Sequence, residues 1–147
     1  MKIRDLITSG AVSVSAEESV AHAARLMAQY NIGSLPVRSA GGRLCGIVTD
    51  RDLTLRCIAG GLAPDATAVR RVMTAHPFTL CGDCDAEEGA RLMAQRQIRR
   101  LPVTDPGGRL CGMFSLSDLA RQRGCEAKAA ECLKEISKNI KNWEKNI

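Results

Sequence analysis

Two four-residue stretches place a carboxylate three positions after a hydroxyl: Thr49-Asp50-Arg51-Asp52 and Ser115-Leu116-Ser117-Asp118. A hydroxyl oxygen accepts a backbone N–H at a helix start, or it bonds a phosphate oxygen. An ionised carboxylate accepts more than one hydrogen bond, as a sugar diol would supply. The chemistry open to such a pair is recognition of a sugar and an anion. Ordinary helix capping uses the same residues at the same spacing, so spacing alone does not decide between them. Other chemistry is poorly supported. No nucleophile has a base, no acid is paired with a base, and no metal cluster is legible. His22 falls on a predicted helix and His76 precedes Pro77 in a predicted loop, each by itself.

The two stretches end two copies of one pattern. Aligned on itself with an offset of 66, the chain needs no gap from Ile3 to Leu53. ARLMAQYNIGSLPVRSAGGRLCGIVTDRDL (24–53) lies over ARLMAQRQIRRLPVTDPGGRLCGMFSLSDL (90–119), identical at 18 of 30 positions. Such self-similarity marks a repeated structural unit. Each copy reads as a short lead turn (3–7; 69–73), a brief strand (12–14; 78–80), a helix, and two strands joined by a glycine turn. A second helix begins at Asp50 or Leu116. The Ser15-Ala-Glu-Glu18 capping box predicts the first helix start, with Val20, Ala23, Ala24, Met27 and Ala28 on one face. Its counterpart face is Ala86, Gly89, Ala90, Met93 and Ala94. LPV opens a strand in both copies, and GGRLCG turns into the buried strand 44–49 or 110–115, with Cys45 and Cys111 expected as small buried groups.

The resulting fold class is α+β: two tandem β-α-β-β-α repeats packed sheet against sheet with pseudo-two-fold symmetry, plus a C-terminal helix. The expected boundaries are 1–66, 67–122 and 123–147. A repeat of this size buries little surface alone, so the two are expected to share an interface whose clefts would hold a ligand.

Composition narrows the class. The chain has 147 residues, is 45% apolar and 25% charged, and carries a net charge of +5. This is the balance of a soluble globular protein. One Trp, one Tyr and two Phe give few stacking platforms, and no apolar stretch is long enough to cross a bilayer, so neither a nucleic-acid nor a membrane partner is expected. MKIRDLITSG lacks the apolar core of a secretory signal, which makes the cytoplasm the expected compartment. Seven cysteines at irregular spacing argue for free thiols, most of them buried. Cys81-Gly-Asp-Cys84 is a weak candidate for metal or redox chemistry; otherwise Asp83 or Asp85 caps the following helix. In the tail, Ala129, Leu133, Ile136, Ile140, Trp143 and Ile147 form a heptad seam on a helix that must dock somewhere.

In LPV, GGRLCGIVTDRDL, GGRLCGMFSLSDL and the linker GLAPDATAVRRVMT, the chain resembles the cystathionine-β-synthase (CBS) domain pair, or Bateman module, over about residues 1–120. The resemblance implies a stand-alone regulatory module with no catalysis. It would bind an adenosyl ligand (AMP, ADP, ATP or S-adenosylmethionine) in clefts between the repeats. One site would use Asp118 on ribose, Ser115 and Ser117 near ribose or phosphate, Arg99 and Arg100 on phosphate, and Ile32, Val12 and Met113 around the base. The other would use Asp52, Thr49 and Arg51, with Ile98, Phe78 and Ile47 as apolar walls. The arginine pair makes the Asp118 site the expected stronger binder of a phosphorylated adenosine. The resemblance also implies a homodimer through the repeat helices, and an effector protein acting in trans. The alternative is a dimerisation scaffold with unoccupied clefts.

Overall fold

The computed structural model describes residues 1–7 and 10–138. The GGRLCG segments behave as read. In the first copy β2 (Ser34–Arg38) turns into β3 (Leu44–Thr49). In the second, β6 (Arg100–Thr104) turns into β7 (Leu110–Ser115). Gly42 and Gly108 take φ of 80° and 81°, the left-handed geometry that excludes most side chains. Gly42 N–H closes its turn on the Ser39 carbonyl (2.9 Å) and Gly108 N–H on that of Asp105 (3.0 Å). Both β3 and β7 alternate, with Gly46 and Val48, or Gly112 and Phe114, in the core. Cys45 and Cys111 lie on the opposite face, half-buried and exposed, so the expectation of buried cysteines there is corrected. Of the seven, only Cys57 and Cys132 are fully buried.

The first strands sit slightly later than expected. β1 is Val14–Ser15 and β5 is Leu80–Cys81. β1 pairs in parallel with β2, Val14 opposite Val37. β4 (Thr74–Ala75) completes a four-stranded sheet β1-β2-β3-β4, and β5-β6-β7 form a three-stranded one. Helix α1 (Val20–Tyr30) starts at Ser19, not Ser15: the Ser19 side chain accepts the His22 N–H at 3.0 Å. Ser15 and Glu18 instead close a turn before it, the Glu18 carboxylate accepting the Ser15 N–H (3.3 Å). Helix α3 (Ala86–Arg96) is capped by Asp85, with Glu88 reaching back to the Asp85 N–H at 2.8 Å. Asp85 is the repeat equivalent of Ser19.

The chain forms two compact units, and they do not follow the sequence copies. The first comprises residues 10–78 and 104–111. Its core holds Val14, Val20, Ala23, Leu35, Val37 and Val48, closed by Val69 and Val72 of the second lead turn. Val69 N–H donates to the Glu18 carbonyl (2.8 Å) and Arg70 N–H to that of Ala16 (3.0 Å). The tip of the second hairpin belongs here too: Leu44 N–H donates to the Gly108 carbonyl (3.1 Å), and Arg43 bridges its repeat equivalent Arg109 antiparallel. The two GGRLCG segments therefore meet each other.

The second unit holds the opening segment 1–7, residues 79–103 and residues 112–138. Here the first lead turn packs on the second copy. Ile3 is fully buried with Leu80, Met93, Leu101 and Phe114, and its N–H donates to the Cys84 carbonyl (2.9 Å). Each lead segment thus seals the core of the other copy.

Gly89, in the middle of α3, is a costly helix residue by itself. A Cβ there would come 2.5 Å from a Phe114 ring carbon. The equivalent pair in the first copy is Ala23 and Val48, so a larger strand residue is matched by a smaller helix residue.

Helix α4 (Leu116–Arg121) follows β7, and helix α5 (Glu126–Ser137) docks on α3 and α4 within the second unit. Its buried residues are Ala129, Cys132 and Ile136. The expected seam is corrected by one position: Leu133 is 42% exposed and Cys132 takes its place, its thiol reaching the Ala90 carbonyl at 3.5 Å. Ile140, Trp143 and Ile147 lie outside the described residues. Ile136→Ala is expected to cost about 2–5 kcal/mol, read from urea unfolding of the full chain. No helix among the described residues is long and apolar enough to cross a membrane.

Candidate functional site

The two hydroxyl–carboxylate stretches both fold as reciprocal capping boxes. In the first copy, α2 (Asp50–Asp52) runs directly into a π-helical turn, Leu53–Ile58. Thr49 Oγ1 accepts the Asp52 N–H (3.1 Å), and Asp52 Oδ2 accepts the Thr49 N–H (2.9 Å). In the second, Ser115 Oγ accepts the Asp118 N–H (3.2 Å), and Asp118 Oδ2 accepts the Ser115 N–H (2.8 Å). The Ser115 hydroxyl also donates to that Oδ2 (2.8 Å). The box restricts both aspartates; their side chains are 15% and 18% exposed.

Capping leaves each carboxylate a second oxygen, and its surroundings differ. Asp118 Oδ1 accepts from Arg121 at 2.8 Å, a cation whose side chain is largely in solvent. Asp52 Oδ1 lies 3.7 Å from Arg56, which is anchored elsewhere by bonds to the Val72 and Met73 carbonyls (3.1 and 3.2 Å). A carboxylate offers about four lone-pair sites, so each retains capacity on Oδ1. A ligand hydroxyl at Asp118 would compete with a solvated arginine and leave the box intact. Arg56 and Arg121 were missed in the sequence, although a cation three or four residues after a helical aspartate is the signal for such pairs.

The leading amides of α2 are already occupied. Asp50 N–H donates to the Gly33 carbonyl (2.9 Å), Arg51 N–H to Asp50 Oδ1 (2.8 Å), and Asp52 N–H to Thr49. A phosphate cradle of unpaired helix amides is therefore not available in the first copy. An anion there would rely on the exposed Arg51 side chain, beside the Asp50 carboxylate. The second copy replaces Asp50 with Leu116, whose N–H donates to the Arg99 carbonyl (2.8 Å). Gly33, where a Cβ would lie 3.0 Å from Asp50 Oδ2, becomes Arg99. Arg99 is exposed and Arg100 half-buried at the start of β6. The second copy loses one cation, with Ser117 in place of Arg51, but it exchanges an acid for a neutral residue and gains two arginines, so its junction is the more cationic.

Ile47 and Met113 lie on the same face as Thr49 and Ser115, away from the core, and both are half-buried. Ser117 is exposed on α4. Val12 and Ile32, expected as walls of the Asp118 site, belong to the first unit and pack half-buried against its core. Phe78 also belongs to the first unit and is exposed. Ile98, expected at the Asp52 site, packs against the core of the second unit. A groove of about 650 Å³ in that unit lies elsewhere: it runs between α3 and α5, past Glu87, Glu88, Arg91, Lys128 and Glu131.

Thr49→Ala and Ser115→Ala are each expected to cost about 0.5–2 kcal/mol in urea unfolding. Ser115→Ala should cost more, because its hydroxyl both accepts and donates within the box.

The CBS domain family model matches residues 3–58 and again 69–124. This chain belongs to the CBS domain family. It is 37% identical to the CBS domain-containing protein YhcV of Bacillus subtilis (strain 168) over 135 residues, 92% of this chain and 94% of YhcV. The crystal structure of Hypoxic Response Protein I with two coordinated zinc ions superposes with a TM-score of 0.77 at 30% identity, covering 83% of this chain and 98% of that one. The CBS domain pair of protein MJ0100, in complex with 5-methylthioadenosine and S-adenosyl-L-methionine, superposes with a TM-score of 0.71 at 26% identity, covering 82% and 94%. Among the described residues of this CBS protein, no three His, Cys, Asp or Glu side chains are grouped to hold a metal ion. Cys81 and Cys84 thus have no third ligand of these types among the described residues.

Proposed function

We propose that this CBS protein is a cytoplasmic regulatory module that senses an adenosyl ligand and performs no catalysis. The observation that carries the reading is the duplicated hydroxyl–carboxylate box, held at the same strand-to-helix junction in both copies of a CBS pair. MJ0100, with the same fold at 26% identity, holds adenosyl compounds. In this reading Asp52 and Asp118 take ribose hydroxyls on Oδ1, Thr49, Ser115 and Ser117 flank the ribose, and Ile47 and Met113 stand beside the base. Val12, Ile32, Phe78 and Ile98 add apolar surface. Arg51, or Arg99 with Arg100, takes phosphate where the ligand has one. The second junction, with more cations and one carboxylate fewer, prefers AMP, ADP or ATP over an uncharged nucleoside. The ligand acts on an effector in trans through different affinities for two states of the module.

The protein is also proposed to be a homodimer through the helices of its first copy. On the second copy α5 covers α3, burying Ala90. The equivalent Ala24 on α1 is exposed, as are Tyr30 at the end of α1 and Leu55 and Ile58 on the π-helical turn. Sedimentation of Leu55→Asp/Ile58→Asp as a monomer, against a dimeric parent, supports this assignment; unchanged dimers refute it.

Thermal unfolding with AMP, ADP, ATP and S-adenosylmethionine separates sensor from scaffold. A ligand at one hundred times its Kd should add about 2.7 kcal/mol of stability. No shift with any of the four would favour a scaffold with unoccupied sites.

A further inference from the structure

The turn before α3 differs from its counterpart before α1 at both ends. In the first copy, residues 15–18 close through a side chain: the Glu18 carboxylate accepts the Ser15 N–H (3.3 Å). In the second copy the same two positions are Cys81 and Cys84, and that carboxylate clasp is gone. The backbone turn remains, with Cys84 N–H donating to the Cys81 carbonyl at 3.2 Å. A four-residue turn keeps its end Cα atoms within about 7 Å, and a disulfide spans Cα separations of about 4.4–6.8 Å. The neighbouring Cys81 side chain, and after it partial burial, raises the Cys84 pKa. Cys81 is exposed and Cys84 half-buried, so a reagent in solution meets Cys81 first.

We propose that Cys81 and Cys84 are a redox modification site that closes to an intramolecular disulfide by exchange with a low-molecular-weight disulfide such as oxidised glutathione. The Cys81 thiolate attacks one sulfur of the reagent, breaking its S–S bond and releasing one thiol. The Cys84 thiolate then attacks the Cys81 sulfur of the mixed disulfide and expels the second thiol. The chain loses two hydrogens as one molecule of reagent is reduced to two thiols. The site is placed to matter. The Gly82 and Cys84 carbonyls accept the Arg4 and Ile3 N–H groups (3.0 and 2.9 Å), and Asp83 pairs with Arg4. Oxidation would lock the turn that holds the opening segment on the second unit, as the glutamate clasp closes its equivalent.

The test uses the reduced full chain, titrated with oxidised glutathione until the exposed Cys111 carries a mixed disulfide. Remaining thiols are alkylated and the protein is digested with trypsin. The peptide of residues 72–91 contains Cys81 and Cys84 and no other cysteine. The expected peptide is unalkylated and two hydrogens lighter, and in Cys84→Ser it instead retains glutathione on Cys81. A parent peptide that takes two alkyl groups, holds glutathione on both thiols, or is linked to another cysteine of the chain overturns the proposal.

Discussion

Phe114→Ala is expected to lower the stability of the chain by about 3–5 kcal/mol, because it removes the largest fully buried side chain among the described residues. The informative companion is Gly89→Ala. By helix propensity alone this change should stabilise α3 by about 1 kcal/mol. The new methyl would sit 2.5 Å from one Phe114 ring carbon and 2.9 Å from another, well inside contact distance. Overpacking of this kind costs about 1–3 kcal/mol, so the net effect should be destabilising. The first copy shows what relieves it: alanine at the helix position goes with valine at the strand position. In a Phe114→Val background, Gly89→Ala should therefore reverse sign and stabilise. Urea unfolding of the four proteins forms a double-mutant cycle. The same destabilisation in both backgrounds would show that the ring does not set the limit at position 89.

Arg99→Ala/Arg100→Ala is expected to weaken AMP binding while leaving S-adenosylmethionine nearly unaffected. Hydrogen bonds to charged groups contribute about 1.5–3 kcal/mol, which corresponds to about 10- to 150-fold in Kd. In the proposed site AMP would present a phosphate to these side chains, whereas S-adenosylmethionine has none. Asp118→Asn should weaken both ligands, since both carry the ribose. The second junction, with Leu116 in place of Asp50, should carry most of the AMP effect. Arg51→Ala in the first copy should have less, because Asp50 already opposes an anion there. Isothermal calorimetry on the purified chain measures all three variants. Equal losses for the two ligands in the arginine variant would remove phosphate recognition from Arg99 and Arg100.

The repeat made the second half of each copy legible. A glycine turn at one end and a hydroxyl cap at the other bracket β3 and β7, so strand, cap and helix start were fixed by residues with few alternatives. The first half was less constrained. Ser15 and Glu18 have capping-box spacing, yet the chain spends them on a turn, and Ser19 caps with no acid at the reciprocal position. Aligning Ser19 with Asp85 resolves the helix start, because Asp85 and Glu88 do form the box. The exchange of lead turns was not legible: three-residue turns such as 3–5 and 69–71 present one apolar side chain and no signal of which copy receives it. At the site, residue types were readable and hydrogen-bond commitments were not. Nothing in TDRD announces that every leading amide of α2 is already paired, or that Arg121 rests on the oxygen a ribose would use.

The most direct test of the sensing account is a nitrogen–proton NMR titration of the full chain with AMP and with S-adenosylmethionine. The account predicts saturable shifts at the amides of residues 49–52 or 115–118, larger for AMP at 115–118. Shifts confined to the α3–α5 groove, or a spectrum unchanged by either compound, would contradict it.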